Sequence, residues 1–234
     1  MKNYNQEKKK LVNSVFAKVH KKYDFMNDIM SFGIHRLWKK NMIQWLNPQK
    51  NSSVIDVASG TGDLAKLISE QTNEENKIFC IEPNQSMFET GKKKLIEYKN
   101  IKWHLSPAEN LPFDDNTFDY YTISYGIRNV TDINLCLKEA YRVLKTGGRF
   151  MCLEFSKIEN EILNKCYKQY SKAIPFIGKY IVGSSEPYEY LIKSIEKFYN
   201  QKELSNLIKN NNFSNIEFRN LSNGISAIHS GWKI

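Results

Sequence analysis

The 234 residues suit one α/β domain with additions and exclude two domains of equal size, and 41% hydrophobic residues can fill a sizeable core. The net charge of +9 comes from lysines scattered through an asparagine-rich chain, dense only at 8–10 and 92–94. That pattern argues against nucleic acid and for a solvated surface, with an anionic membrane surface as the next reading. No apolar run reaches the roughly eighteen residues of a membrane span, and no apolar signal core opens the chain, so it reads as soluble.

Two amphipathic helices are predicted before the first strand, one from Val12, Val15, Phe16, Val19 and Tyr23, the other from Ile34, Leu37, Trp38, Met42 and Trp45. The stretch 22–39 between and across them mixes large apolar and polar groups. It reads either as a packed helical hairpin with Met26, Met30 and Phe32 in the core, or as an adaptable lid over an apolar ligand. A short β-branched run then carries Val54, Ile55, Asp56 and Val57 into Ala58, Ser59, Gly60, Thr61, Gly62 and Asp63. Leu64, Leu67 and Ile68 follow at helical spacing, so strand, tight loop and helix succeed one another. Further strands are expected at 78–81, ending at 103–105, at 118–124 and at 150–155. A helix marked by Ile133, Leu137, Ala140, Tyr141 and Leu144 should stop at Gly147-Gly148. Residues 158–198, aromatic and broken by Pro175, Gly178, Gly183 and Pro187, read as an inserted helical cap. A last helix at about 202–209 precedes alternating Ile216 and Phe218, and Asn223-Gly224 then signals an antiparallel hairpin. Cys80, Cys136, Cys152 and Cys166 lie singly and read as buried, reduced thiols of an intracellular or organellar protein, without metal.

The glycine-rich turn is a nucleotide-binding βα loop. Gly60 and Gly62 allow close backbone approach, and the helix start presents unpaired N–H groups. About twenty residues on, Glu82 follows the second strand, where a carboxylate accepts hydrogen bonds from ribose hydroxyls. A dinucleotide and S-adenosylmethionine both fit such a turn, since Ala65 satisfies the looser dinucleotide pattern. Asp56 and Asp63, however, favour a ligand carrying an ammonium and a sulfonium over a pyrophosphate. A mostly parallel seven-stranded sheet with an antiparallel C-terminal strand also suits a methyltransferase better than a dehydrogenase.

The segment 22–39, the loop 56–63, and the stretches 108–119, 123–132, 141–145, 153–157, 190–195 and 224–229 together resemble the ubiquinone/menaquinone C-methyltransferase family, the 2-polyprenyl-6-methoxybenzoquinol methylases. The resemblance implies a single class I S-adenosylmethionine-dependent domain: a helical cap (1–50), a cofactor-binding core (51–156), an inserted cap (157–199), and a C-terminal helix and hairpin (200–234). It implies methylation of a ring carbon of a polyprenylated quinol in ubiquinone biosynthesis. Demethylmenaquinol methylation, or a non-catalytic assembly role among other ubiquinone-biosynthesis proteins, is the alternative.

Cofactor contacts are expected from Asp56, Gly60, Thr61, Gly62, Glu82, Ala108 and Ser124. Pro107 stands where the family has Asp or Asn near adenine, so adenine recognition falls to backbone there. Arg128 is expected to stabilise a developing phenolate, with Asn129, Tyr23 and Tyr125 orienting the quinol and Asp24 or Glu154 taking a proton. Against this stands the reading that Arg128 merely pins the loop after the fourth strand through a salt bridge. The resemblance further implies an apolar tunnel for the prenyl tail between the two caps, peripheral membrane contact, and a homodimer as an open option. It points to the matrix side of the mitochondrial inner membrane, as if a presequence were missing, with bacterial cytoplasm as the alternative.

Overall fold

The computed structural model describes residues 28, 31, 33–182 and 185–234. The first expected helix and Tyr23, Asp24, Met26, Met30 and Phe32 lie outside them.

Seven strands form one sheet: β1 (Ser53–Val57), β2 (Lys77–Ile81), β3 (Ile101–His104), β4 (Phe118–Ser124), β5 (Leu144–Phe155), β6 (Ser214–Leu221) and β7 (Ser226–Trp232). Their order is β3-β2-β1-β4-β5-β7-β6, with β7 antiparallel to both neighbours and the remaining pairs parallel. This is the expected seven-stranded, mostly parallel sheet with its C-terminal hairpin. Asn223 and Gly224 turn that hairpin at φ 55° and 93°, in the left-handed region that Asn and Gly tolerate. Val54, Ile55 and Val57 are all fully buried, as a strand covered on both faces requires.

Seven α-helices pack around the sheet among the described residues: α1 (His35–Leu46), α2 (Asp63–Gln71), α3 (Gln85–Lys94), α4 (Ile133–Val143), α5 (Glu161–Val182), α6 (Glu186–Lys197) and α7 (Gln201–Asn210). The inserted cap is thus the helix pair α5 and α6, with Pro187 in the first turn of α6, where a missing N–H costs nothing. α7 carries a capping box, Asn200 and Glu203 each bonding the other's backbone.

Four expectations need correction. Leu144 is not helical: it pairs with Phe118 and begins β5, which reaches through a bulge at Gly147 (φ 80°) before Arg149 pairs with Tyr120. In α1 the buried stripe is His35, Trp38, Lys39, Met42, Ile43 and Leu46, while Ile34 and Leu37 are exposed; two polar residues occupy core-facing places that the apolar periodicity does not mark. α3 is a helix the sequence reading lacks, started by Asn84, whose side chain accepts from the Met87 amide. Cys80, Cys136 and Cys152 are buried, but Cys166 is exposed on α5.

The C-terminal end of α1 is held from across the sheet. Arg149 donates from Nη1 to the Trp45 carbonyl (2.6 Å) and from Nε to Ser230 Oγ (2.9 Å), satisfying a carbonyl that a helix end leaves open. Its guanidinium also lies between the rings of Trp45 and Trp232, 5.2 and 4.9 Å from their centroids, and Arg219 covers Trp45 at 4.0 Å. At the first turn of the helix Trp38 donates to Ser222 Oγ at 3.1 Å and meets the Phe155 ring edge-on.

Candidate active site

Strand order reverses between β1 and β4, and in open α/β sheets the loops leaving the carboxyl ends of such strands part to form the ligand crevice. Lys39, Asp56, Ala58, Ser59, Gly60, Leu64, Ser124 and Tyr125 line a pocket of about 20 Å³ there. It is held shut by close packing: a Cβ on Gly126 would sit 2.5 Å from that of Ala58, so the loops after β1 and β4 touch.

The loop 58–62 is built for this closeness. Ala58, Gly60 and Gly62 have φ of 53°, 60° and 83°, and the Gly62 amide donates to Ser59 O at 2.9 Å. Glu82, at the end of β2, accepts from the Gly60 amide (Oε2, 2.9 Å) and the Asn84 amide (Oε1, 2.9 Å). Each carboxylate oxygen keeps a further lone pair for a ribose hydroxyl. Burial pushes the Glu82 carboxyl up to about 7 against those two hydrogen bonds.

The two acids expected to face a cationic ligand are in different states. Asp63 is bracketed by Lys94 (2.6 Å) and Lys39 (3.2 Å), which together hold its carboxyl well below the usual range against its burial. Asp56 is 1% exposed and accepts from Thr122 Oγ1 at 2.9 Å, and burial pushes it up to about 7. Its other oxygen, Oδ2, has no partner, and neither has Ser124 Oγ across the pocket. Two buried, unsatisfied polar atoms beside a glycine loop fit a polar ligand such as the amino-acid end of S-adenosylmethionine. Thr61 is buried beside them, with Oγ1 3.5 Å from Lys94 Nζ. Ala108, also buried, and Pro107 lie in the loop after β3.

Arg128 follows Tyr125, whose φ of 55° places a bulky residue in the left-handed region. Arg128 Nη1 donates to Glu154 Oε1 at 2.5 Å and to the Tyr125 carbonyl at 2.8 Å, and neither charged side chain is more than 2% exposed. Glu154 also accepts from the Phe155 amide (2.9 Å), and burial pushes its carboxyl up against the pull of Arg128. This is the salt bridge that the pinning reading of Arg128 expects. Asn129 is held by the Tyr190 hydroxyl of α6 at 3.0 Å, and the Tyr125 ring packs tilted against Phe155 with centroids 4.9 Å apart. Of the expected catalytic residues, Arg128, Asn129 and Tyr125 therefore share one turn, while Tyr23 and Asp24 lie outside the described residues.

Between α5 and α6 lie two adjoining cavities of about 420 and 450 Å³. Ile158, Ile192 and Ile195 supply apolar wall, but Lys168, Ser171 and Glu196 line them too, so they are less apolar than the expected prenyl tunnel. No helix among the described residues is long and apolar enough to cross a membrane.

Two residues of this region are missed by sequence reasoning: Lys39, whose signal is a lysine on the buried stripe of α1, and Tyr190, whose partner is sixty-one positions away. The chain is 50% identical over 235 residues to the ubiquinone/menaquinone biosynthesis C-methyltransferase UbiE of Rickettsia bellii (strain OSU 85-389), covering 97% of this chain and 94% of the relative. It is 47% identical over 234 residues to the UbiE of Brucella suis biovar 1, covering 97% and 87%. In fold it is similar to a solved SAM-dependent methyltransferase from Thermotoga maritima, with a TM-score of 0.67 at 20% identity over 95% of this chain and 100% of that one. The ubiE/COQ5 methyltransferase family matches residues 1–233, and the chain belongs to that family.

Proposed function

We propose that the chain transfers a methyl group from S-adenosylmethionine to a ring carbon of a polyprenylated methoxybenzoquinol in ubiquinone biosynthesis, with demethylmenaquinol as the other quinol its relatives' names admit. The observation supporting this reading is the strained turn after β4: Tyr125 lines the glycine-loop pocket, Arg128 bonds the Tyr125 carbonyl, and Asn129 is held by Tyr190 of the inserted cap. The cofactor supplies an electrophilic methyl on a sulfonium. The chain's part is to make the ring carbon a better nucleophile, which a fixed positive charge does by favouring phenolate. Arg128 stays protonated and so stabilises that anion while another group takes the proton. Glu154 is committed to Arg128 and two backbone amides, which supports Asp24 as the acceptor.

Asp56, Gly60, Thr61, Gly62, Ser124, Glu82, Pro107 and Ala108 are proposed to hold the cofactor from its amino-acid end to its adenine. Peripheral membrane contact is proposed through the α5–α6 face, where Lys165, Lys168 and Lys193 rim the cavities and Ile162 is exposed. The relatives are bacterial, which supports bacterial cytoplasm over the mitochondrial address; other biosynthetic proteins as partners, and a homodimer, stay proposals.

Incubation with S-adenosylmethionine and a short-chain quinol should yield a C-methylated ring by mass spectrometry, and no product with either quinol overturns the proposal. Arg128→Lys keeps the charge but loses the planar fork. Its kcat should fall by roughly 10² with cofactor binding retained. Near-normal turnover would remove Arg128 from the chemistry, and joint loss of folding and binding would leave it a pin.

A further inference from the structure

Lys39 sits where a free-standing lysine has little reason to be. It lies on the core-facing stripe of α1, its side chain is 9% exposed, and it lines the pocket directly. Its partner Asp63 is shared: Lys94 pairs with Oδ1 at 2.6 Å and Lys39 with Oδ2 at 3.2 Å, so Asp63 keeps one cation if Lys39 turns to another anion. Burying an ammonium is costly unless it gains a close, well-oriented anion. On the same pocket wall Asp56 Oδ2 is buried with no partner. One pocket thus presents an acid oxygen lacking a donor and a cation whose neighbouring carboxylate holds a second lysine. An α-amino acid carries the complementary pair, an ammonium and a carboxylate two bonds apart.

We infer that Lys39 takes the α-carboxylate of the cofactor's amino-acid end, exchanging Asp63 for it, while Asp56 faces the ammonium. This rests on the assignment of the pocket to S-adenosylmethionine. The exchange leaves no ion unpaired, since Asp63 keeps Lys94 and Lys39 trades one carboxylate for another. α1, from the N-terminal cap, is then part of the cofactor site, and the pocket selects ligands bearing both charges of an amino acid.

Calorimetry with S-adenosylhomocysteine and its decarboxylated analogue tests this without turnover. The wild-type chain should prefer the carboxylate-bearing ligand by at least about tenfold, the scale of a charge-assisted hydrogen bond. Lys39→Met should erase that preference by weakening S-adenosylhomocysteine alone, and Lys39→Arg should restore part of it. Should Lys39→Met fail to fold because Asp63 loses a partner, Lys39→Met with Asp63→Asn removes both charges and the same ratio is read. Equal weakening of both ligands, or an undiminished preference, overturns the role of Lys39. Failure of the wild-type chain to bind either ligand overturns instead the assignment of the pocket.

Discussion

Glu154→Leu should lower the unfolding free energy by about 3–5 kcal/mol, the cost of leaving one member of a buried ion pair without its partner. Arg128 and Glu154 are both almost wholly excluded from water and meet at 2.5 Å, so a lone Arg128 charge would find no solvent to replace the carboxylate. Arg128→Met combined with Glu154→Leu should recover more than half of the loss, because two apolar side chains no longer bury an uncompensated charge. Urea unfolding of Glu154→Leu, Arg128→Met and the double variant measures this. A single-variant cost under about 1 kcal/mol, or a double-variant cost equal to the sum of the singles, would show that the pair is not buried and coupled as described. The double variant also separates stability from chemistry: a well-folded protein that binds S-adenosylhomocysteine but does not methylate would place the defect in the reaction.

Cofactor affinity should rise by up to about tenfold per pH unit as pH climbs from 5 toward 7, then level off. The cause is Asp56, whose carboxyl burial pushes up to about 7, with Glu82 beside it in the same state. The charged groups acting on Asp56 are Lys39 of α1, which favours its ionised form, and Asp63 of α2, which opposes it; Thr122 of β4 donates to its carboxylate, and Ser59 of the loop to its backbone carbonyl. An unperturbed aspartic acid ionises near 4, so between about 4 and 7 the unfolded chain has released protons that the folded chain retains. The protein's own stability therefore falls as pH rises through that window and is level above it. Ligand binding has the opposite sense, because an ammonium beside Asp56 favours the carboxylate and expels its proton. Calorimetry at pH 6 in two buffers of different ionisation enthalpy should register net proton release on binding S-adenosylhomocysteine. Asp56→Asn should abolish the Asp56 share of that release, and proton-neutral binding by the wild-type chain would refute the assignment.

The core strands were legible because β-branched runs end at glycines or turn residues, and the glycine loop because its chemistry is local. Other features were not, for identifiable reasons. α3 lacks an apolar stripe and packs instead through Gly91, where a Cβ would lie 2.2 Å from the Trp103 ring. The start of β5 is hidden by Lys145-Thr146-Gly147, residues that bulge outward and read as a turn. In the site, the pairing of Arg128 with Glu154 joins the turn after β4 to β5 across twenty-six positions, and no sequence period encodes it. Lys39 was visible as part of a family segment, but its burial depends on how α1 sits against β5 and α2. The hydrophobic pattern placed that helix one position out of phase.

The guanidinium stack on Trp45 and Trp232 has a kinetic consequence for ligand exchange. It fixes the C-terminal end of α1 to the β5–β7–β6 edge, and Trp38 fixes the first turn of the helix to the hairpin turn. A helix anchored at those two places cannot swing away as a unit to admit or release a molecule the size of S-adenosylhomocysteine. The residence time of the demethylated product is then governed by motions of the loops after β1 and β4. Lys39 stays on a stationary wall throughout each cycle of exchange, re-pairing with Asp63 whenever the product leaves.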